Sequence, residues 1–173
     1  CWTSRNPTTA TEGDTMSAGG KDHPDVIAFP PLIFLACLLI GAGLTAVLPG
    51  FLPPAYSPTL LIPGLVVVAG AGALALSGIL AFRQAGTNVE PHKPSLVLVH
   101  DGPYRFTRNP MYAGLILMLL GLSLIFSVDC GLFMVPVLAL VLHFGVVLRE
   151  EAYLTAKFGA PYSAYLAETR RWI

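Results

Sequence analysis

The densest polar segment of the chain, Gly102-Pro103-Tyr104-Arg105-Phe106-Thr107-Arg108-Asn109-Pro110-Met111-Tyr112, runs directly into an apolar stretch. Asn109 suits the capping position of a helix. Pro110 suits the first helical position, where its missing amide hydrogen would have no partner anyway. The amides that follow, with Arg108 beside them, form a site for an anion such as a carboxylate or phosphate. A well-capped helix flanked by snorkelling arginines fits the same residues. Further on, Arg149-Glu150-Glu151 closes another apolar stretch. Two adjacent carboxylates repel each other and oppose the dipole of a helix C-terminus. They call either for nearby Lys or Arg or for a cationic ligand group such as an ammonium.

The elements that carry these residues are read from hydropathy. Of 173 residues, 54% are hydrophobic and 12% charged, and mean hydropathy is +0.68. A soluble domain carries about 25% charged residues, so most of this surface is built to face lipid. About 20 apolar residues cross a bilayer core, and four segments are read as spans: 26–48, 60–82, 111–127 and 132–148. Only Val128 to Gly131 separate the last two, so these two form a tight antiparallel hairpin. The expected fold is therefore all-α and membrane-embedded, a single domain over 26–173. A cytosolic loop and a C-terminal amphipathic helix complete it, and a polar, disordered segment precedes it over 1–25. Within that segment Met16 is a candidate start, residues 1–15 then lying outside the natural protein.

Lys and Arg concentrate in the loop from Arg83 to Pro110 and in the tail after Leu148, while Pro49 to Thr59 has no charge. That asymmetry places both termini and the middle loop in the cytoplasm. The hairpin then brings 105–112 and 149–151 to one membrane face. An anion site beside a carboxylate suits a zwitterion such as an amino-acid moiety. Span two carries Ala69, Ala73 and Ser77 at four-residue spacing, with Gly70 and Gly72 beside them, a face for close helix packing within the chain or in a homo-oligomer. Tyr162, Tyr165, Leu166 and Trp172 of the tail are able to lie at the membrane interface. His143, inside span four, is either a functional group or a residue bonded to a neighbouring helix. Zero net charge, with no basic stripe, argues against a nucleic-acid partner. The scattered Cys1, Cys37 and Cys130 define neither a metal site nor a disulfide.

The ordered motifs Leu98-Val99-His100-Asp101-Gly102-Pro103-Tyr104-Arg105, Arg108-Asn109-Pro110-Met111-Tyr112, Glu150-Glu151-Ala152-Tyr153-Leu154 and Phe158-Gly159-Ala160-Pro161-Tyr162 resemble the isoprenylcysteine carboxyl methyltransferase family. The likeness is to its bacterial-type branch, grouped with the phospholipid methyltransferases, and covers residues 83 to 173. It implies a bacterial inner-membrane enzyme that uses S-adenosyl-L-methionine and takes a lipidic or prenylated substrate from the bilayer. Cofactor contacts carried over from the family are Leu96, Val97, Leu98, Val99, Tyr104, Asn109, Pro110, Met111, Tyr112 and Glu150, which Arg108 joins from its own position. Two departures concern the family's eukaryotic members, which carry His at Asn109 and a substrate-binding Arg at Val146.

Methyl transfer from a sulfonium needs positioning more than acid–base help, and a carboxylate acceptor is already ionised at neutral pH. An amine acceptor needs a base, for which Glu151 and His143 are the candidates, while Arg149 and His143 are candidates to replace the missing Arg. No catalytic residue is assigned and no metal is expected. The alternatives are a phospholipid N-methyltransferase, an NADPH-dependent membrane reductase of shared architecture, and a non-catalytic membrane assembly or lipid-binding protein.

Overall fold

The computed structural model describes residues 26–48, 50–86 and 98–172. The segment 1–25 and the expected cofactor contacts Leu96 and Val97 lie outside the described residues. The described residues are helical, with one isolated bridge between Thr107 and Arg170. In chain order they form α1 (Pro30–Val47), α2 (Pro58–Gln84), a 3-10 turn (Gly102–Arg105), α3 (Pro110–Ile125), α4 (Asp129–Leu142), a π-helical turn (His143–Val147), α5 (Leu148–Phe158) and α6 (Ala160–Glu168).

Proline places several of these starts. Pro30-Pro31, Pro58 and Pro110 occupy first-turn positions, where a missing amide donor costs nothing. Val26 to Phe29 accordingly precede α1 and are not part of it. Among the described residues, three helical stretches are long and apolar enough to cross a membrane: Pro30–Val47, Pro58–Gln84 and Asp129–Phe158. The apolar α3 is shorter, at 16 residues. Large side chains such as Leu32, Leu39, Val66, Leu76 and Leu140 stand exposed along these helices, a pattern suited to a lipid surface.

Helix α3 packs along α2 and touches α4, and α4 packs along α1. The α2–α3 seam uses Gly64, Ala71 and Gly78, all buried, against Gly114 and Gly121. The stripe expected from sequence does not pack here. Ala69, Gly70 and Ala73 are exposed, and a Cβ added at Gly70 or Gly72 would meet nothing within 4 Å. Helical geometry explains the difference: a seven-residue step returns to within about 20° of the same face, whereas a four-residue step drifts by about 40°.

At the end away from the tail, Asp129 accepts hydrogen bonds from the amides of Phe51 and Leu52 and so ties the α1–α2 loop to the start of α4. At the other end the chain from Asp129 to Phe158 continues through the π turn without a break. Glu150 and Glu151 therefore lie in the first turn of α5, well before the helix end, and the dipole argument drawn from a helix C-terminus does not apply to them. The π turn widens the helix and leaves the Gly145 carbonyl for the amide of Ile27, at 3.1 Å. It also rotates everything downstream by about 100°, one residue's worth of helical turn, which sets the face on which Glu150 emerges.

Candidate functional site

The site forms where the start of α3, the first turn of α5, the 3-10 turn, α6 and the tail converge. Asn109 occupies the capping position of α3, but its side chain makes no capping bond. Its Nδ2 donates instead to the carbonyl of Arg171, at 2.9 Å. The Thr107 hydroxyl donates to the same carbonyl at 3.3 Å, and the Arg108 amide donates to the Arg170 carbonyl at 2.9 Å. The amides of Met111 and Tyr112, which have no carbonyl to reach inside their own helix, are left uncapped by Asn109.

One turn into α3, the buried Tyr112 hydroxyl donates to Glu150 Oε1 at 2.6 Å. This joins the two segments singled out in the sequence. Burial pushes the Glu150 carboxyl up to about 7, the Tyr112 hydrogen bond opposing the shift and the neighbouring Glu151 charge adding to it. Tyr104, 4% exposed, packs its ring against Phe82 at 5.2 Å. Among the described residues its hydroxyl has no hydrogen-bond partner. It lies beside Gly78, where a Cβ would come within 3.4 Å of it and of Pro110. Burial, then the Glu150 and Tyr165 charges, raise the Tyr104 hydroxyl above the ordinary phenol range, so it stays a donor. An uncapped helix start, a buried hydroxyl unpartnered among the described residues and a half-buried carboxylate thus converge.

Glu151 has a different environment. Arg171 grips it with Nε at 3.0 Å and Nη2 at 2.7 Å, and Arg108 Nη1 lies at 3.2 Å. The Arg108 side chain is 11% exposed and that of Glu151 13%. Of the candidate catalytic groups, Arg149 is exposed. His143 sits in the π turn between Phe144 and Trp172, with its Nδ1 buried and unpartnered. Val146 is fully buried in the apolar cluster with Val26, Leu142 and Val147, against which Trp172 packs.

Val99 is buried, while Leu98 lines an outer groove of about 690 Å³ with Asp101, Arg105, Pro161 and Tyr165. Tyr165 is the partition, its hydroxyl donating to the Tyr104 carbonyl at 2.7 Å. Tyr162 and Tyr165, expected at the membrane interface, are instead buried. They turn inward because the Gly159 break, at φ 59°, folds α6 back over the site. Sequence reasoning missed Thr107, Gly78, Arg171 and the packing role of Trp172. Their only local signals are a basic residue in a tail and a glycine in a glycine-rich helix.

A family model described as phospholipid methyltransferase matches residues 59–161, which take in the Tyr104 turn, the start of α3 and Glu150. No curated protein matches the chain.

Proposed function

The chain belongs to the phospholipid methyltransferase family, and from that premise we propose that it transfers a methyl group from S-adenosylmethionine to a lipidic acceptor drawn from the bilayer. The observation that carries this reading is the Tyr112–Glu150 pair at the uncapped start of α3. The residues present fit the methionine end of that cofactor. The α3 amides and the Tyr104 hydroxyl suit its carboxylate, and Glu150 suits its ammonium. Leu98 and Val99 offer an apolar edge for the adenosine, and Leu96 and Val97 enter this reading from the sequence resemblance alone. Arg108, held by Glu151, adds positive charge near the anion end, and Pro110 and Met111 shape the floor against Gly78. When bound, the cofactor supplies an electrophilic methyl group. The chain's own part is to orient, exclude water and stabilise charge.

The membrane arrangement belongs to the same proposal: four spans, with α3 and α4 as a hairpin, a single domain from residue 26, and both termini and the site in the cytoplasm of a bacterial cell. The sequence resemblance favours an isoprenylcysteine carboxylate as acceptor. The sealed, apolar setting of Val146 favours a second reading, a phospholipid amine, because no cation stands there to bind a carboxylate. An amine must lose a proton before or during transfer. Glu151 is committed to two arginines, so His143, with its unpartnered Nδ1, is the better placed of the two candidate bases. Arg149 serves neither role in this reading.

The deciding experiment incubates purified protein with methyl-labelled S-adenosylmethionine and a membrane lipid extract. Label in an aminophospholipid supports the amine reading, and base-labile label in a prenylated carboxylate supports the ester reading. Cofactor binding without label in any lipid would remove the catalytic assignment.

A pH dependence follows from Glu150. Its carboxyl is raised to about 7, so between the ordinary carboxylate range and that value the folded state holds a proton that the unfolded chain releases. The unliganded protein therefore loses stability as pH rises through this window. Binding of an ammonium needs the ionised form and runs the opposite way. Affinity for S-adenosylmethionine should climb about tenfold between pH of about 6 and about 8. Calorimetry across that range checks it, and a flat profile contradicts the assignment.

A further inference from the structure

One cluster of charged side chains, Glu151 with Arg108 and Arg171, holds a member with no role in the reading above, Arg171. Arg171 lies in the tail beyond α6, yet it is held at both ends. Its carbonyl accepts from Asn109 Nδ2 and the Thr107 hydroxyl. Its guanidinium makes a two-pronged pair with Glu151, at 3.0 and 2.7 Å. Asn109, which would otherwise cap α3, is thereby committed to the tail. The same strap both keeps the α3 amides uncapped and occupies the second of two adjacent carboxylates.

We propose that Arg171 is a positioning residue of the site, acting through Glu151 to keep Glu150 available as the carboxylate that receives a cationic ligand group. This rests on Glu150 having that role in the function proposed above. The physical basis is proximity. Adjacent carboxylates on one helix disfavour each other's charge, and a bidentate guanidinium neutralises one of them in a fixed geometry that a lysine matches only as a point charge. The groups that face Glu150 from other elements are the hydroxyls of Tyr112 on α3, Tyr104 on the 3-10 turn and Tyr162 on α6. The cations Arg108 and Arg171 are held on Glu151, the neighbour of Glu150 on a helix that also carries Arg149 and continues from the π turn holding His143. Arg171 is the member of this set contributed by the tail.

The test reads Glu150 directly, without ligand. Full-length protein carrying carboxyl-labelled glutamate is titrated by carbon NMR in detergent, and the spectrum of Glu150→Gln identifies the signal. The midpoint is expected to rise by about half a pH unit or more in Arg171→Gln relative to the parent. It is expected to return toward the parent value in Arg171→Lys. In the Glu151→Gln background, Arg171→Gln should move it no further. An Arg171→Gln midpoint equal to the parent overturns the proposal, as does an equal rise in the Glu151→Gln background. Should Arg171→Gln fail to fold, Glu151→Gln alone decides: its Glu150 midpoint must fall, and an unchanged midpoint overturns the coupling. Failure of the parent protein to bind S-adenosylmethionine would instead count against the proposed function, leaving the titration to judge Arg171 separately.

Discussion

Replacing Glu150 with glutamine is expected to weaken binding of S-adenosylmethionine by about two orders of magnitude, equivalent to about 2.7 kcal/mol. Glutamine keeps the shape of the side chain and can still accept from Tyr112, so the substitution removes charge while preserving packing. The loss is large because the half-buried carboxylate is partly shielded from water, which weakens the screening of its attraction for an ammonium. Tyr112→Phe removes the 2.6 Å hydrogen bond that orients the carboxylate. Its expected cost is smaller, about tenfold, in line with a hydrogen bond to a charged group. Arg149→Gln, at an exposed position of the same helix, is the control and should leave affinity within about twofold, as surface substitutions usually do. Calorimetry on purified protein reads all three. Parent-like binding in both the Glu150 and Tyr112 variants would remove the site assignment, whatever the chain proves to methylate.

The largest effect on stability is expected at Gly121. A Cβ there would lie 2.7 Å from Val68 Cγ2 and 3.0 Å from both the Gly64 carbonyl oxygen and the Val68 amide nitrogen. Two of those three neighbours are backbone atoms and cannot swing aside. Gly121→Val must therefore push α2 from α3, at a cost of about 3 kcal/mol or more, the upper end for overpacking a core. In lipid no hydrophobic force presses the helices back together, because lipid chains solvate apolar side chains as well as a neighbouring helix does. The seam is held by close contact, so losing it at Gly121 also loosens Gly114 against Ala71 and Gly78 against Met111. The Tyr104 hydroxyl beside Gly78 should move with it, and cofactor affinity should fall together with stability. Gly70→Val, on the outward face with nothing within 4 Å, provides the comparison and should cost less than about 0.5 kcal/mol. Thermal unfolding in detergent checks both, and equal midpoints would show that the seam does not hold the helices.

The sequence and the structure agree most closely where the signal is local. Hydropathy over 20-residue windows marks the apolar helices. Proline and asparagine mark the start of α3 to within a residue, because a missing amide donor is tolerated at a helix start and nowhere further in. Glu150 was recognisable as an anomaly, a carboxylate at the edge of an apolar run, and the motifs around it pointed to a methyltransferase family. The polar stretch after Glu150 was legible as a helical extension, but the π turn before it was not. Nothing in His143-Phe144-Gly145-Val146-Val147 distinguishes five-residue hydrogen bonding from four, and the Ile27 amide that takes the Gly145 carbonyl lies far away in the chain.

By itself, the sequence determined that this is an apolar, helical, membrane-suited chain whose candidate site residues gather around Arg108 to Tyr112 and Glu150, because composition, hydropathy and capping are properties of neighbours along the chain. Tertiary structure alone decided which small residues form the α2–α3 seam, which way Tyr162 and Tyr165 face, and which of two adjacent carboxylates is left for a ligand. Glu150 and Glu151 are equivalent as letters. They differ because one emerges toward the Tyr112 hydroxyl and the other toward Arg108 and the Arg171 strap. That choice depends on helical phase and on a tail returning from beyond α6, and neither is encoded in the spacing of the residues themselves.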